Sequence, residues 1–328
     1  MPRRAVIRPN SIFVYMQEGT VIKTTGSWYD VRLDSGEILP CRMKGKFRLE
    51  GKSLTNPVAV GDRVRVEIED GDAMIKEIGS RSNYVIRQSP RKKHDLHLIA
   101  SNIDQAMVMV TINYPQLKQG FIDRFLLMTE PHDIPAHVIV NKVDLYNDQD
   151  IEIAEGLKFI YEHIGYPVHL VSSTEGTGIE AVRDVLKDKT TLIGGQSGVG
   201  KSTFINALQP HLELKTTDLS DYSGKGQHTT TFAEMFELDF GGFIIDMPGI
   251  KTLSFNNLEP MDVAHNFREF FAVSENCKYP DCLHRNEPGC AVKEGLESGA
   301  LFELRYMNYL KILEEIEEQN YWERHSHF

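Results

Sequence analysis

The chain has 328 residues, of which 41% are hydrophobic and 25% charged, and its formal net charge is −11. This composition is typical of a soluble globular protein of two or three domains, and it excludes an intrinsically disordered chain. No apolar run reaches the ~18 residues that a membrane-spanning helix needs. No hydrophobic signal region follows Met1–Arg4, so we expect a cytoplasmic protein.

The charge is divided unevenly along the chain. Residues 1–95 contain 18 Lys and Arg against 12 Asp and Glu, whereas the remaining residues contain 18 against 35. Such an asymmetry predicts a basic module, suited to nucleic acid, joined to an acidic one. A basic surface that is merely solvated is the alternative.

Residues 11–88 show short strand-like segments separated by tight turns. Five such segments stand out, at 19–23, 28–33, 38–42, 61–68 and 73–78. Five short strands at this spacing predict an all-β OB-fold barrel, a fold that binds oligonucleotides. A turn-rich connection between them carries Lys44, Lys46, Phe47, Arg48 and Lys52. We therefore place an OB-fold RNA-binding domain, with a basic linker, at residues 1–90.

Some residues of this region have competing interpretations. Trp28 and Tyr29 suit either base stacking or the core, and we favour the core for Trp28. Cys41 is isolated in a strand-like stretch, which predicts a small buried hydrophobe. The segment Arg81–Lys93 has five basic residues and little hydrophobic pattern, so we interpret it as a linker that touches an RNA backbone.

From Asn102 onward, strands and helices alternate. Strands are predicted at 106–110, 137–140, 168–171, 191–193, 232–238 and 243–245, and helices at 120–128, 151–164, 179–186 and 203–208. The strands are nearly unbroken apolar runs, as buried parallel strands are. We therefore expect an α/β domain with a mostly parallel sheet at residues 91–254.

A phosphate-loop motif, GxxxxGK[ST], lies between a predicted strand and a predicted helix of this domain. Its residues are Gly195, Gln196, Ser197, Gly198, Val199, Gly200, Lys201 and Ser202, followed by Thr203. The glycines let backbone N–H groups surround a phosphate chain at the start of a helix. Lys201 is expected to reach the β- and γ-phosphates, and Ser202 to ligate Mg²⁺. An ordinary glycine-rich turn is the alternative.

A second motif predicts which nucleotide the loop holds. Asn141, Lys142 and Asp144 form an NKxD element at the end of a predicted strand. A carboxylate there accepts hydrogen bonds from guanine N1–H and its N2 amine, which adenine lacks, so adenine would leave the carboxylate unpaired. Ser172 and Ser173 end the next strand, where a backbone N–H meets the guanine oxygen. A site for GTP or GDP is therefore predicted, and an ATP-using enzyme is disfavoured.

The elements that would sense the γ-phosphate follow the loop. Asp246 and Gly249 form a DxxG element, in which Asp246 holds Mg²⁺ through water and the Gly249 N–H contacts the γ-phosphate. The polar run 223–231 is predicted to be the first switch, with a plain solvated loop as the alternative. One of its three threonines should ligate Mg²⁺ with GTP bound, and we choose Thr230.

Three cysteines and a histidine lie within fourteen residues near the C-terminal end, at Cys277, Cys282, His284 and Cys290. Three thiolates and an imidazole suit tetrahedral Zn²⁺ with no coordination position left for water, so the site should be structural. The alternative is three reduced cysteines that cluster by coincidence. Residues 301–319 have helical spacing, and Leu304, Met307, Tyr309, Leu310 and Leu313 are predicted to form the packed face.

The order of the motifs is unusual. Ras-like GTPases run phosphate loop, switch, DxxG and NKxD, whereas here NKxD and the serine motif come first, which indicates a circular permutation. With the predicted barrel and cysteine cluster, the chain resembles the ribosome small-subunit-dependent GTPase A family. The fold expected is an α/β P-loop GTPase domain (circularly permuted) with an N-terminal all-β OB-fold barrel and a C-terminal mainly helical zinc-binding domain, the last at residues 255–328.

The resemblance implies a GTP hydrolase that the small ribosomal subunit stimulates and that acts in late maturation of that subunit. It implies GTP with Mg²⁺, one structural zinc, the small subunit and its rRNA as partners, no membrane, and a monomer. Members commonly have Arg before the switch histidine, where this chain has Gln227. The alternative function is a GTP-binding rRNA-binding scaffold with little turnover.

The scaffold alternative arises from the residue after DxxG. Ras-like enzymes orient the attacking water with a Gln there, and this chain has Ile250, which can neither donate nor accept a hydrogen bond. His228 in the switch is our candidate for a catalytic residue beside Lys201 and Gly249, since it can bond water near neutral pH. A histidine that contacts rRNA is the competing interpretation.

Overall fold

The N-terminal strands close into a barrel, as the sequence predicts. The structure is a computed structural model that describes residues 14–43, 57–69, 71–88, 96–214, 233–247 and 258–325. The barrel strands are β1 (Val14–Thr25), β2 (Trp28–Leu33), β3 (Ile38–Met43), β4 (Arg63–Glu69) and β5 (Asp72–Ile78). Their order is β1-β2-β3-β5-β4, and β4 pairs back with β1 to close the ring. The basic turn at 44–52 lies outside the described residues.

Alternation along the strands decides which side chains fill the barrel. Val31, Cys41, Val66 and Ile75 are fully buried in its core, so the prediction for Cys41 is confirmed. Burial raises the pKa of the Cys41 thiol to about 11, which keeps it protonated. The prediction for Trp28 is wrong: its neighbour Tyr29 points inward, and Trp28 is 42% exposed.

The first part of the segment interpreted as a basic linker forms a β-strand. Strand β6 (Tyr84–Gln88) pairs antiparallel with β7 (Leu96–Ser101). Arg81 is not available to an RNA backbone, because its guanidinium binds the fully buried Asp62 at 2.6 Å through Nε. Asp62 also accepts from Ser101 Oγ at 2.6 Å, so this carboxylate joins the barrel to the hairpin.

The predicted α/β domain contains five parallel strands and one antiparallel edge strand. These are β8 (Gln105–Val110), β9 (Ala136–Asn141), β10 (Val168–Val171), β11 (Thr190–Gly195), β12 (Glu234–Glu237) and β13 (Phe243–Asp246). Their order is β10-β9-β8-β11-β13-β12, with only β12 antiparallel to its neighbour β13. The four helices are α1 (Phe121–Thr129), α2 (Asp148–His163), α3 (Ile179–Leu186) and α4 (Lys201–Leu208). Each lies within a few residues of its predicted position.

The two faces of this sheet are covered by different helices. Alternate residues of β8 separate the two cores: Val108 packs with residues of α1 and α2, whereas Met107 and Met109 pack with residues of α3 and α4. The barrel continues the same sheet, because β1 pairs with β12 at Lys23 and Glu234. Their side chains form an ion pair at 2.8 Å.

The C-terminal region is helical. It contains α5 (Pro260–Asn266), α6 (Arg268–Ser274), α7 (Ala291–Glu297) and α8 (Glu303–His325), of which only α8 was expected. The predicted packed face of α8 is partly wrong, because Leu304 is 38% and Met307 56% exposed. Among the described helices, none combines the length and the apolar character needed to cross a membrane.

A buried polar cluster takes the place of the expected apolar contacts. Arg305, only 1% exposed, binds Asp123 of α1 and both carboxylate oxygens of Glu269 in α6, at 2.7 and 3.0 Å for the latter. Asp123 also accepts from Tyr161 of α2 at 2.6 Å and from Asn308 of α8 at 2.5 Å. The cluster therefore holds the C-terminal helices against α1 and α2.

Candidate functional site

The phosphate loop has the strand-loop-helix geometry that the motif requires. Strand β11 ends at Gly195, and Gly200, with φ of 95°, precedes the first residue of α4, Lys201. A Cβ at Gly200 would lie 2.6 Å from Asn141 Nδ2, and one at Gly195 would lie 2.5 Å from the Met109 carbonyl oxygen. Glycine is therefore required at both ends by the close packing of neighbouring strands.

Asn141 connects the phosphate loop to the two strand ends beside it. Its buried amide donates from Nδ2 to the Val199 carbonyl at 2.9 Å. Its Oδ1 accepts from the Ser173 hydroxyl at 2.8 Å and from the Ser173 backbone N–H at 3.2 Å. Three segments that are distant in sequence therefore meet at one side chain, at the carboxyl edge of the parallel strands where such sheets bind ligands.

Lys142 and Asp144 lie on the same edge but in different environments. Lys142 has a positive φ of 67° and donates from Nζ to the carbonyls of Gly198, at 2.8 Å, and Tyr114, at 2.7 Å. Burial lowers the pKa of Lys142, an effect that nearby Asp144 opposes. Asp144 is exposed and accepts from Thr174 Oγ1 at 3.3 Å, so its carboxylate faces the turn that follows β10.

Ser172 shapes this turn from within. The residue is fully buried, and its Oγ accepts from the Glu175 backbone N–H at 3.1 Å. Its role in the structure is to hold the turn, while Ser173 holds Asn141. In the phosphate loop itself, Ser197 and Gly198 are exposed, Gln196 and Val199 are buried, and Ser202 and Thr203 are half-buried on the first turn of α4.

Lys201 and Asp246 are close enough that each influences the pKa of the other. Lys201 Nζ lies 3.4 Å from the Gly195 carbonyl, and burial lowers the pKa of Lys201 although Asp246 opposes this. Asp246 ends β13, which pairs in parallel with β11, and burial raises the pKa of Asp246 to about 6 despite the pull of Lys201. Its Oδ1 has no hydrogen-bond partner among the described residues.

A buried carboxylate oxygen without a partner is costly unless a cation or a proton donor reaches it. The Asp246 carboxylate is therefore suited to Mg²⁺, an ion that prefers oxygen ligands and usually keeps several bound waters. Ser202 follows Lys201 in the first turn of α4. The other predicted members of the site, Thr230, His228 and Gly249, lie outside the described residues.

The four predicted zinc ligands are gathered in one place. The ligand atoms of Cys277, Cys282, His284 and Cys290 all lie within 4.8 Å of one another. His284 Nδ1 is 3.5 Å from Cys290 Sγ and 3.7 Å from Cys277 Sγ. A tetrahedral Zn²⁺ with ordinary bond lengths separates N and S ligands by about 3.5 Å and two S ligands by about 3.8 Å, so the cluster fits the ion.

Neighbouring groups hold these ligands in place. Tyr306 Oη donates to the His284 carbonyl at 2.7 Å, and Tyr309 Oη donates to the Leu283 carbonyl at 2.8 Å. The Glu287 carboxylate accepts from the backbone N–H groups of Leu283 and Arg285, at 2.9 and 2.7 Å. Burial opposes ionisation of Glu287, but these backbone hydrogen bonds leave its pKa below the ordinary value.

The loop between β8 and α1, residues 111–120, also contributes to the site, although no motif in the sequence marks it. Pro115 lies against the phosphate loop, since a Cβ at Gly198 would be 3.6 Å from its Cδ. The signal was available: Asn113, Tyr114 and Pro115 follow a buried parallel strand, and loops at that edge of a sheet commonly line the ligand site. Tyr146, which binds this loop, also went unnoticed.

Comparisons with known proteins agree with this geometry. A family model described as RsgA GTPase matches residues 78–256, and one described as RsgA N-terminal domain matches residues 18–75. The chain is 49% identical over 305 residues to "Small ribosomal subunit biogenesis GTPase RsgA 2" of Bacteroides thetaiotaomicron, covering 93% of this chain and 98% of that protein. It is 45% identical over 300 residues to the Flavobacterium psychrophilum RsgA, covering 90% and 92%.

Two solved structures share the whole architecture. YjeQ from Thermotoga maritima superposes with a TM-score of 0.73 at 33% identity, covering 92% of this chain and 99% of that one. YloQ, described as a circularly permuted GTPase, superposes with a TM-score of 0.70 at 31% identity, covering 93% and 96%. With NKxD on β9 and the phosphate loop after β11, this chain has the permuted order too. It is a circularly permuted GTPase and belongs to the RsgA GTPase family.

Proposed function

We propose that this GTPase hydrolyses GTP when it is bound to the small ribosomal subunit and that it acts in late maturation of that subunit. Its relatives, 45–49% identical, carry the name small ribosomal subunit biogenesis GTPase, which supports the assignment and does not favour a scaffold without turnover. The observation that carries the proposal is the buried Asp246 carboxylate near the phosphate-loop Lys201, since its unpartnered oxygen supports a site for the Mg²⁺ that GTP hydrolysis needs.

The proposed nucleotide site divides into a base end and a phosphate end. Asn141, Lys142, Asp144, Ser172 and Ser173 would bind guanine, and Gly195 through Thr203 would bind the phosphates. Lys201 would neutralise charge that develops on the β- and γ-oxygens during hydrolysis.

The metal ligands and the catalytic switch groups are also proposals. Ser202, Thr230 and Asp246 would hold Mg²⁺, which supplies electrostatic stabilisation of the phosphate oxygens. Gly249 would contact the γ-phosphate through its N–H, and His228 would orient the attacking water. Because the residue after DxxG is Ile250, intrinsic hydrolysis should be slow and dependent on the subunit.

The flanking regions would bind RNA, with the domains divided at 1–90, 91–254 and 255–328. On the barrel, Trp28 is exposed and the Arg42 guanidinium lies 4.1 Å from its ring centre, which supports a stacking surface for a base. In the C-terminal region, a zinc on three cysteines and His284 would fix the 277–290 loop, which hydrogen bonds from Tyr306 and Tyr309 join to α8. We propose that the protein is cytoplasmic and binds the subunit as a monomer.

Titration of GTP hydrolysis with purified ribosomal subunits tests the proposal. We expect phosphate release to rise with small subunits and not with large subunits at the same concentration. Equal turnover with and without small subunits would overturn the proposed function, even if GTP binds tightly. Preference for ATP over GTP would refute the guanine site.

A further inference from the structure

Three consecutive residues of the β8–α1 loop are each bound by the segment that carries the NKxD motif. The Ile112 backbone N–H donates to Tyr146 Oη at 2.9 Å. Asn113 Nδ2 donates to Asp150 Oδ1 at 2.6 Å, and the Tyr114 carbonyl accepts from Lys142 Nζ at 2.7 Å. The loop and the NKxD segment therefore form one hydrogen-bonded unit.

Tyr146 is the central member of this unit, because its hydroxyl makes two contacts. It accepts from Ile112 N–H and donates to the Asn141 carbonyl at 2.7 Å. Burial raises the pKa of Tyr146 to about 12, so the hydroxyl keeps the proton that it donates. Both contacts are with backbone groups, so they do not depend on the side chains of Ile112 and Asn141.

The donor and acceptor positions give Tyr146 a specific structural effect. Residues Val143–Leu145 form a 3₁₀ turn, and Tyr146 is the residue that ends it. Its hydroxyl reaches back to Asn141, the residue that precedes Lys142 at the start of the turn. We call residues 141–146 the guanine-recognition turn. The Tyr146 hydroxyl therefore joins the two ends of this turn to each other, and it also joins the turn to Ile112 in the loop that follows β8.

We propose that Tyr146 is a positioning residue for guanine recognition: its hydroxyl fixes the turn that presents Asn141 and Asp144 to the base. The inference rests on the proposed guanine site, and it assigns a role outside the NKxD motif. Asn141 carries the consequence directly, since its side chain also binds Val199 of the phosphate loop and Ser173. Movement of its backbone would shift all of these contacts together.

Removal of the hydroxyl should weaken binding and blunt base discrimination. Tyr146→Phe keeps the ring but leaves the Ile112 N–H and the Asn141 carbonyl without this partner. The loss of such paired, part-buried groups corresponds to a decrease of about ten-fold in the population of the ordered turn. Inosine nucleotides lack the N2 amine that Asp144 is expected to bind, so the ratio of GTP to ITP affinity measures the placement of that carboxylate.

The experiment uses the full chain and displacement of a fluorescent GDP by GTP and by ITP. For Tyr146→Phe we expect GDP and GTP affinity to fall about ten-fold, mostly through faster dissociation, and the GTP-to-ITP ratio to fall several-fold. The control is Tyr166→Phe, which also removes a part-buried tyrosine hydroxyl, here with a single hydrogen bond to Glu130 at 2.9 Å, but at the amino end of β10, away from the proposed base site. It should leave both quantities unchanged.

The outcomes separate this inference from the proposed function. If the unsubstituted protein binds no guanine nucleotide or does not prefer GTP to ITP, the proposed site fails and the inference fails with it. If it does prefer GTP, an unchanged ratio in Tyr146→Phe refutes the positioning role even when affinity falls. If Tyr146→Phe does not fold, Asn113→Ala, which breaks the adjacent hydrogen bond to Asp150 in the same unit, should lower the GTP-to-ITP ratio several-fold, and an unchanged ratio would refute the positioning role.

Discussion

Substitution of Arg305 by Met should destabilise the protein severely. The side chain is 1% exposed and is the cation that balances two carboxylates, those of Asp123 and Glu269. Its removal would leave both anions buried without a cation, which costs about 3–5 kcal/mol in comparable cases. The loss should appear as a lower urea midpoint in circular dichroism at 222 nm, because the cluster holds four helices together.

The chain offers a matched control on the same pair of helices. Arg124 in α1 binds Glu315 in α8 at 2.6 Å, but Glu315 is 42% exposed. The Arg124 side chain is 12% exposed, but its partner carboxylate stays in water when the arginine is removed, so Arg124→Met should cost clearly less than Arg305→Met.

A double-substitution cycle isolates the buried contact. The cycle compares the losses in free energy of unfolding for Arg305→Met, for Glu269→Gln and for the double variant. We expect the double variant to lose about 1–3 kcal/mol less than the sum of the two single losses, because it removes one buried anion together with its cation. Equal losses for Arg305→Met and Arg124→Met, or additive losses in the cycle, would show that the buried cluster is not what holds the C-terminal helices.

Three other substitutions or treatments test the site. Asp246→Asn should reduce Mg²⁺-dependent hydrolysis on the order of 100-fold. Burial raises the pKa of Asp246 to about 6, so the folded, nucleotide-free protein holds this proton more tightly than the unfolded chain and loses stability as pH rises from about 4 to 6. In a thermal-shift assay, Asp246→Asn should therefore melt at a higher temperature than the unsubstituted protein at pH 8, but not at pH 4. Cys282→Ala should abolish stoichiometric zinc in metal analysis and lower the melting temperature, and a preparation of the unsubstituted protein without zinc would refute the metal site. His228→Ala should lower subunit-stimulated turnover far more than nucleotide affinity, and an unchanged stimulated kcat would remove His228 from the mechanism.

Local patterns made much of the fold predictable. Strand β10 and helix α3 begin and end at the predicted residues, because Val168–Val171 is a short apolar run and Ile179–Leu186 has a clear apolar face. The phosphate loop and the cysteine cluster were equally accessible, since a fixed spacing of glycines, or of thiols and an imidazole, carries its own chemistry. The positions of Asn141 and Ser173 at one edge follow from the parallel strand order.

Two of the misses have the same physical cause, which is pairing between residues distant in sequence. The predicted packed face of α8 contained only apolar and aromatic residues, yet Arg305 and Asn308 are buried because Asp123, far away in sequence, binds both. Arg81 was assigned to an RNA surface because it lies in a basic segment, and its pairing with Asp62, nineteen residues earlier, is not visible in the sequence. Trp28 is different, because the alternation of β2 already places its neighbour Tyr29 inward, and hydrophobicity outweighed that pattern.

The strand order also bears on synthesis of the chain. Strands β8, β9 and β10 occupy one side of the sheet, and β11 then adds beside β8, followed by β13 and β12. A chain emerging from its N-terminal end can therefore form the base-binding edge before the phosphate loop exists, and domains fold in this direction during translation. Asn141 lacks its Val199 partner until 58 further residues have been made. We expect nascent chains that end before β11 to retain no guanine nucleotide, and the ability to bind it to arise when β11 and α4 join the sheet.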